Sequence, residues 1–302
     1  MTSKAKQPVN LFLIAPMRSG STSMFHYLAK HPDISECPIK EPNYFVDSLP
    51  DAYFEPSPWF DINKYVEKDT LNPVHIARVS EPEHYEQLFK QAGHARYRME
   101  ASTSYWLMPE ACQKIKTYNP DSKIVLLVRD PIERLYSHYR IECGLGRERR
   151  SFMDAIADEL QQLKAGILPA YSYIGLSQYD RVINRFESAF HSVELLRLEE
   201  VTENVPEFSQ QITAFLKIDP FPEQPFLHLN KSRKVLNTPL YRMMIDSGIK
   251  DYLRLILGKS LRRSLYKAFS KANPPVPKEL KDLQSVQAHL REASSRYYEG
   301  IS

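Results

Sequence analysis

Two apolar runs without polar interruption stand out along the chain: Leu11 to Ala15 and Ile124 to Val128. Runs of that length with no alternation read as strands covered on both faces, as a parallel sheet requires. Glu194–Leu198 predicts a shorter strand of the same kind. After the first run, Met24, Tyr27 and Leu28 fall on one side of a helix. Amphipathic spacing also predicts helices over Ser151–Lys164, Tyr179–Phe190 and Val205–Leu216. Buried runs alternating with helical stretches predict an α/β fold: a P-loop-type parallel sheet flanked by helices on both faces. The chain of 302 residues reads as one domain, 1–302, with a polar, disordered tail at 1–9 and a helical C-terminal extension at 240–302.

Two regions break the pattern. Residues 46–80 form a long irregular excursion containing Pro50, Pro56, Pro58 and Pro73. Its rings, Tyr53, Phe54, Trp59 and Phe60, suit either stacking on a sugar or packing of the loop onto the core. Tyr241–Lys271 carries eight Lys and Arg against Asp246 and Asp251, with Leu253, Ile256, Leu257, Leu261, Leu265 and Phe269 at helical spacing. Such a helix can lie on an anionic membrane through 250–271, attract an acidic glycan, or simply cover the sheet with a solvated basic face. Pro274, Pro275 and Pro277 then link to a final helix, Lys278–Tyr298.

The first run ends in Pro16-Met17-Arg18-Ser19-Gly20-Ser21-Thr22-Ser23. Strand, small hydroxyl-rich turn and helix start together make an anion site, because backbone N–H groups and the helix dipole point at the ligand. An ordinary βα turn with a polar N-cap would use the same residue types. The loop departs from the nucleotide-binding frame G-x-x-x-x-G-K-[ST]. Here it reads Ala15, four residues, Gly20, Ser21, Thr22, so Ser21 holds the lysine position and Arg18 is the loop's cation. Without that lysine, hydrolysis of ATP or GTP is disfavoured, whereas a 5′-phosphate group still fits.

A second anion site is legible at Lys123–Arg140. Arg129 follows the buried run, at the strand end where open α/β sheets bind ligands. Pro131 suits the first turn of a helix. Ser137 comes eight residues after Arg129, about two turns into that helix. Arg129 and Ser137 suit a second phosphate; a surface ion pair of Arg129 with Asp130 is the plainer reading.

Together these segments resemble the two cofactor signatures of sulfotransferases that use 3′-phosphoadenosine-5′-phosphosulfate (PAPS). Ala15–Ser23 resembles the 5′-phosphosulfate loop, and Arg129 with Ser137 the 3′-phosphate site. Lys40–Phe45, Glu100–Tyr105, Gly175–Tyr179 and Asn230–Arg233 resemble, in order, further segments of the carbohydrate and heparan-type branch. The resemblance covers roughly residues 10–235 and is specific for the cofactor, not for the acceptor. It implies a sulfotransferase fold, PAPS as donor and PAP as product; no metal is expected, because the leaving group departs as a stable anion and no His, Cys and Asp cluster has ligand spacing. It also implies that Arg18, Ser19, Gly20, Ser21, Thr22 and Ser23 bind the cofactor with Arg129 and Ser137, and that Lys231, Ser232 and Arg233 close over it.

The resemblance further implies that Glu41 is the general base for an acceptor hydroxyl or amine, with Arg18 meeting charge on the leaving group. Lys40 beside Glu41 lowers its pKa, whereas burial raises it, and the sequence leaves the balance open. His75, His84 and His94 lie where another branch places a histidine base, but none sits in a matching motif. The pattern has departures. Ala101 stands where related enzymes often carry lysine, with Arg98, Lys40 or Lys231 as substitutes. Arg18 replaces a loop lysine, exchanging a point charge for a planar fork. No cysteine follows Cys143, so the disulfide that pins the closing loop in animal relatives has no counterpart. Lys40, Trp59 and Arg98 are the candidate acceptor contacts.

Composition narrows the rest. A net charge of +3 is too small to argue for nucleic acid. Three scattered cysteines, no apolar leader and no membrane-length run read as a cytoplasmic protein with a small-molecule or glycan acceptor. The alternatives are a P-loop nucleotide kinase or NTPase, and a non-catalytic protein that binds PAP.

Overall fold

In this computed structural model residues 7–49, 60–222, 224–227 and 286–299 are described in full, and 233–235, 270–272 and 284–285 as backbone. Trp59, Lys231 and Ser232 lie outside the described residues, as do most of the basic stretch 250–271 and residues 1–6 of the expected tail. The chain groups into two compact units. The first comprises 1–131, 178–229 and 291–302, and the second 132–177 and 230–290.

The first unit is built on five parallel strands: β1 (Leu11–Ile14), β2 (Ile34–Glu36), β3 (Tyr97–Ala101), β4 (Lys123–Val128) and β5 (Val193–Arg197). Their order is β2-β3-β1-β4-β5, so β1 is central, with Leu13 opposite Ala101 and Ile14 opposite Leu126. Every residue of β1 and the last five of β4 are buried, which is why the sequence shows no alternation there. Leu11, Leu13, Met99, Val125 and Leu127 form one core with Met24 and Leu28 of α1 (Ser21–Leu28). Phe12, the intervening residue of β1, meets the ring of Phe45 at 5.7 Å. The remaining helices up to β4 are α2 (Ile62–Val66), α3 (Pro82–Gln87), α4 (Ser104–Leu107) and α5 (Glu110–Tyr118).

The chain is packed earlier than the expected end of the tail. Val9 is buried, its N–H donates to the Tyr118 hydroxyl and its carbonyl accepts from Asn119. α6 (Pro131–Leu145) starts directly after β4, as Pro131 suggests. In the second unit it packs through Ile132 and Leu135 on Phe152 and Ile156 of α7 (Phe152–Lys164), with Val286 and Leu290. Ser151 caps α7 by accepting from Asp154 N–H.

Helices α8 (Asp180–Ala189), α9 (Leu198–Glu203) and α10 (Val205–Leu216) return to the first unit, α10 with the bounds its periodicity predicts. The C-terminal extension is not purely helical. β6 (Arg233–Val235) pairs antiparallel with β7 (Ser270–Ala272), so the basic stretch ends in a strand. The expected single helix over 278–298 is two, α11 (Gln284–Ala293) and α12 (Ser295–Tyr298). They break at Ser294, whose hydroxyl accepts the Tyr179 N–H.

Candidate active site

The C-terminal edge of the sheet carries the Arg18–Ser23 loop, Glu41 and Arg129. β1 runs into the loop Ala15–Gly20, where Ser19 N–H donates to the Pro16 carbonyl. Arg18 and Gly20 both take positive φ, 75° and 85°. A Cβ at Gly20 would stand 2.8 Å from a Leu198 methyl on α9, which would have to shift. Gly20 is the N-cap of α1, and no side chain caps that helix. Its first N–H groups are therefore offered to a ligand. Ser21 and Ser23 are buried on the first turn, Thr22 is half-buried and Arg18 is half-buried above them.

Ser19 is fully buried, and its hydroxyl has no hydrogen-bond partner among the described residues. A buried orphan hydroxyl costs free energy and needs an explanation. An anion in the loop supplies one. The uncapped helix start, the strained Arg18 and the space enforced by Gly20 fit the same group.

One strand away, Glu41 donates its backbone N–H to the carbonyl of Ala101, the last residue of β3. Its own φ is 69° and that of Asn43 is 54°, a left-handed geometry rare outside glycine and asparagine. Glu41 is 7% exposed. Lys40 Nζ donates to Oε1 at 2.8 Å and Thr103 Oγ1 to Oε2 at 2.7 Å. Burial pushes this carboxyl up, but the Lys40 ammonium, the two hydrogen bonds and the weaker field of His75 together hold it below the usual glutamate range. The balance that the sequence left open is settled on the side of the ionised form.

On the other side of β1, Arg129 follows β4. Its Nε stands 4.0 Å from an oxygen of Glu199 on α9. Glu199 also accepts from the Asp130 N–H and the Tyr297 hydroxyl. Burial raises its pKa, against the backbone hydrogen bond from Asp130 and the nearby Arg129 charge. The Arg129 carbonyl is held by the Tyr179 hydroxyl at 2.8 Å. Glu199 carried no sequence signal, and Thr103 lay in the Glu100–Tyr105 segment without an assigned role, because each meets the site through tertiary packing.

The other candidates are placed differently. Arg98 lies three positions before Ala101 on β3, about 10 Å down the strand. It pairs through its backbone with Asn10 at the opposite edge of the sheet. Ser137 is buried on α6, in the second unit. Arg233 opens β6, also in the second unit, and is described by its backbone. Among the described residues no cluster of His, Cys, Asp and Glu suits a metal, and no helix is long and apolar enough to cross a membrane.

This geometry can be compared with known proteins. Carbohydrate sulfotransferase 15 of Mus musculus is 22% identical over 263 residues, covering 74% of this chain and 46% of the relative. Membrane-associated sulfotransferase kil1 of Dictyostelium discoideum is 28% identical over 130 residues, 43% of this chain and 22% of that one. The chain thus spans less than half the length of these curated relatives. A sulfotransferase from Alicyclobacillus acidocaldarius superposes with a TM-score of 0.57 at 22% identity, covering 83% of this chain and 96% of the other, which shows the shared fold. The profile of the Sulfotransferase family matches residues 8–223, well over half of the sequence. On that match, the chain belongs to the sulfotransferase family.

Proposed function

We propose that the protein transfers a sulfuryl group from PAPS to a hydroxyl or amine of an acceptor, a carbohydrate in the first instance. One placement supports the reading above all: Glu41 is bonded to the end of β3, the Arg18–Ser23 loop follows the adjacent β1 and Arg129 follows β4 beyond it, all at one edge of the sheet. When bound, PAPS supplies the sulfuryl group and departs as PAP. The loop N–H groups, the Ser19 hydroxyl and Arg18 hold its 5′ end, and Arg18 meets charge that grows on the bridging oxygen. Arg129 holds the 3′-phosphate. Glu41 receives the acceptor proton on a carboxylate oxygen. Ionised at neutral pH, it is in the state a base requires, and Lys40 and Thr103 fix its direction. Sulfuryl transfer of this kind asks for positioning and charge stabilisation more than covalent chemistry. In this proposal Lys231, Ser232 and Arg233 supply the closing donors. The carbohydrate preference rests on the kind of relative matched and on the resemblance of Lys40–Phe45.

Calorimetry with PAP and with ATP–Mg²⁺, followed by label transfer from PAPS to a panel of glycans, phenols and amines, tests the proposal. PAP binds and ATP–Mg²⁺ does not. Arg129→Ala weakens PAP binding by about tenfold or more, as loss of a charge-assisted contact costs about 1.5–3 kcal/mol. Glu41→Gln keeps PAP affinity and loses turnover. Tight ATP–Mg²⁺ binding without PAP binding would instead mark a nucleotide kinase.

A further inference from the structure

Beneath the Glu41 turn lies a second carboxylate for which the transfer chemistry has no use. Glu100, on β3, is completely buried. Two hydroxyls donate to it: Tyr85 to Oε2 at 2.6 Å and Ser102 to Oε1 at 2.7 Å. Ser102 is a relay. Its single hydroxyl hydrogen points at Glu100, so its lone pairs face outward, where they accept the Asn43 N–H at 3.1 Å. Asn43 then closes the turn. Its Nδ2 donates to the Glu41 carbonyl at 2.7 Å and to the Ala77 carbonyl at 3.0 Å, while Oδ1 accepts from the Ser104 hydroxyl at 2.6 Å. Glu41 and Asn43 both sit at positive φ, so the turn persists only while its surroundings enforce it.

We propose that Glu100 is a positioning residue: as an ionised acceptor it sets the Ser102 hydroxyl, and through Asn43 it fixes the turn that presents Glu41. This rests on Glu41 being the base; Glu100 itself touches neither donor nor acceptor. Titration of Glu100 follows from its setting. Burial pushes its carboxyl up, the hydroxyl bonds oppose that, and the charge of Glu41 adds to it, leaving it at about 7. The other groups facing it are Tyr85, Tyr105 and Cys37, all pushed well upward by burial and neutral in this range. Once protonated, Glu100 must donate its own O–H, and a hydroxyl now pointing at it has to turn away. Where that hydroxyl is Ser102, its oxygen is shared between the Glu100 O–H and the buried Asn43 N–H or its hydrogen turns toward Asn43, and either weakens the Asn43 bond.

Hydrogen exchange at the Asn43 amide of the full chain, corrected for the intrinsic pH dependence, reads this link without any substrate. Wild-type protection falls by about tenfold or more as pH drops through about 7, the factor expected for one hydrogen bond weakened by about 1.4 kcal/mol. In Glu100→Gln protection is low at every pH, PAP affinity is unchanged, and kcat falls by up to about a hundredfold with KM for PAPS retained. Should Glu100→Gln not fold, Ser102→Ala serves: its Asn43 protection no longer follows pH. Protection that is pH-independent in the wild type, or equal in wild type and Glu100→Gln, overturns the proposal. Glu41→Gln separates the two readings. If that variant keeps normal turnover the base assignment fails, whatever the exchange shows; if turnover collapses while the exchange is flat, Glu100 alone is misassigned.

Discussion

At the scale of single residues, Gly20 answers two demands at once. Its φ of 85° strains any residue with a side chain, and a Cβ would stand 2.8 Å from a Leu198 methyl that must then shift. Gly20→Ala therefore costs about 1–2 kcal/mol for the left-handed backbone alone, and displacement of Leu198 also disturbs the loop. A lower Tm in calorimetry with PAP affinity reduced by about tenfold is the expected outcome; an unchanged Tm would mean that the loop relaxes freely. Gly20 was legible, because glycine in a strand–turn–helix frame has few other uses. Arg18 and Glu41 were legible as chemistry but not as geometry, since nothing in those residue types signals a positive φ. The pKa of Glu41 was undecidable from sequence for a similar reason. Lys40 is its neighbour along the chain in any fold, but only the fold brings Thr103 to the opposite oxygen and removes the water.

At the scale of elements, periodicity was a good guide where an element buries a face of its own. β4 and α10 carry their complete pattern, and their bounds follow. The β6–β7 ribbon carries none: Arg233-Lys234-Val235 is too short to alternate and is defined by its partner. Equally invisible was the scaffold under the Gly175–Ser177 turn. Glu159 of α7 accepts the Tyr173 and Ile174 N–H groups, each at 2.8 Å. Arg134 of α6, fully buried, donates from Nε to the Ser177 hydroxyl at 2.7 Å and from its other end to the Tyr173 carbonyl. Removing the carboxylate leaves two buried donors unsatisfied, each worth about 1–3 kcal/mol. Glu159→Ala is accordingly expected to lower the unfolding free energy in urea by about 3 kcal/mol. A loss under about 1 kcal/mol would show that water replaces the carboxylate.

At the scale of the whole molecule, the strand order was the part the sequence withheld. Local patterns place strands, but whether β1 lies between β3 and β4 depends on crossovers that no short window records. That order puts an ionised and a titrating carboxylate within one buried neighbourhood, and their effects on stability occupy different pH windows. Glu41 has its pKa lowered on folding, so it stabilises above the ordinary carboxylate range and that contribution is lost as pH falls through its folded value. Glu100 behaves in the opposite sense. Its folded pKa of about 7 exceeds the reference of 4.5, so its contribution is complete below 4.5 and is lost as pH rises through about 7. The size is on the order of 3 kcal/mol, because moving a proton equilibrium tenfold is worth about 1.4 kcal/mol. The ionised Glu100 that would hold the Glu41 turn is thus the less stable form of the protein, an instance of stability given up at a working site. Glu36, Glu142, Glu159 and Glu199 are raised as well and slope the same way, so the informative quantity is a difference between variants. Urea unfolding measured at intervals from pH 4.5 to 8 should show wild-type stability declining across that range more steeply than Glu100→Gln, whatever the absolute stability of the variant. Parallel curves would mean that Glu100 titrates alike in the folded and unfolded chain, and that the buried cluster around β3 admits water.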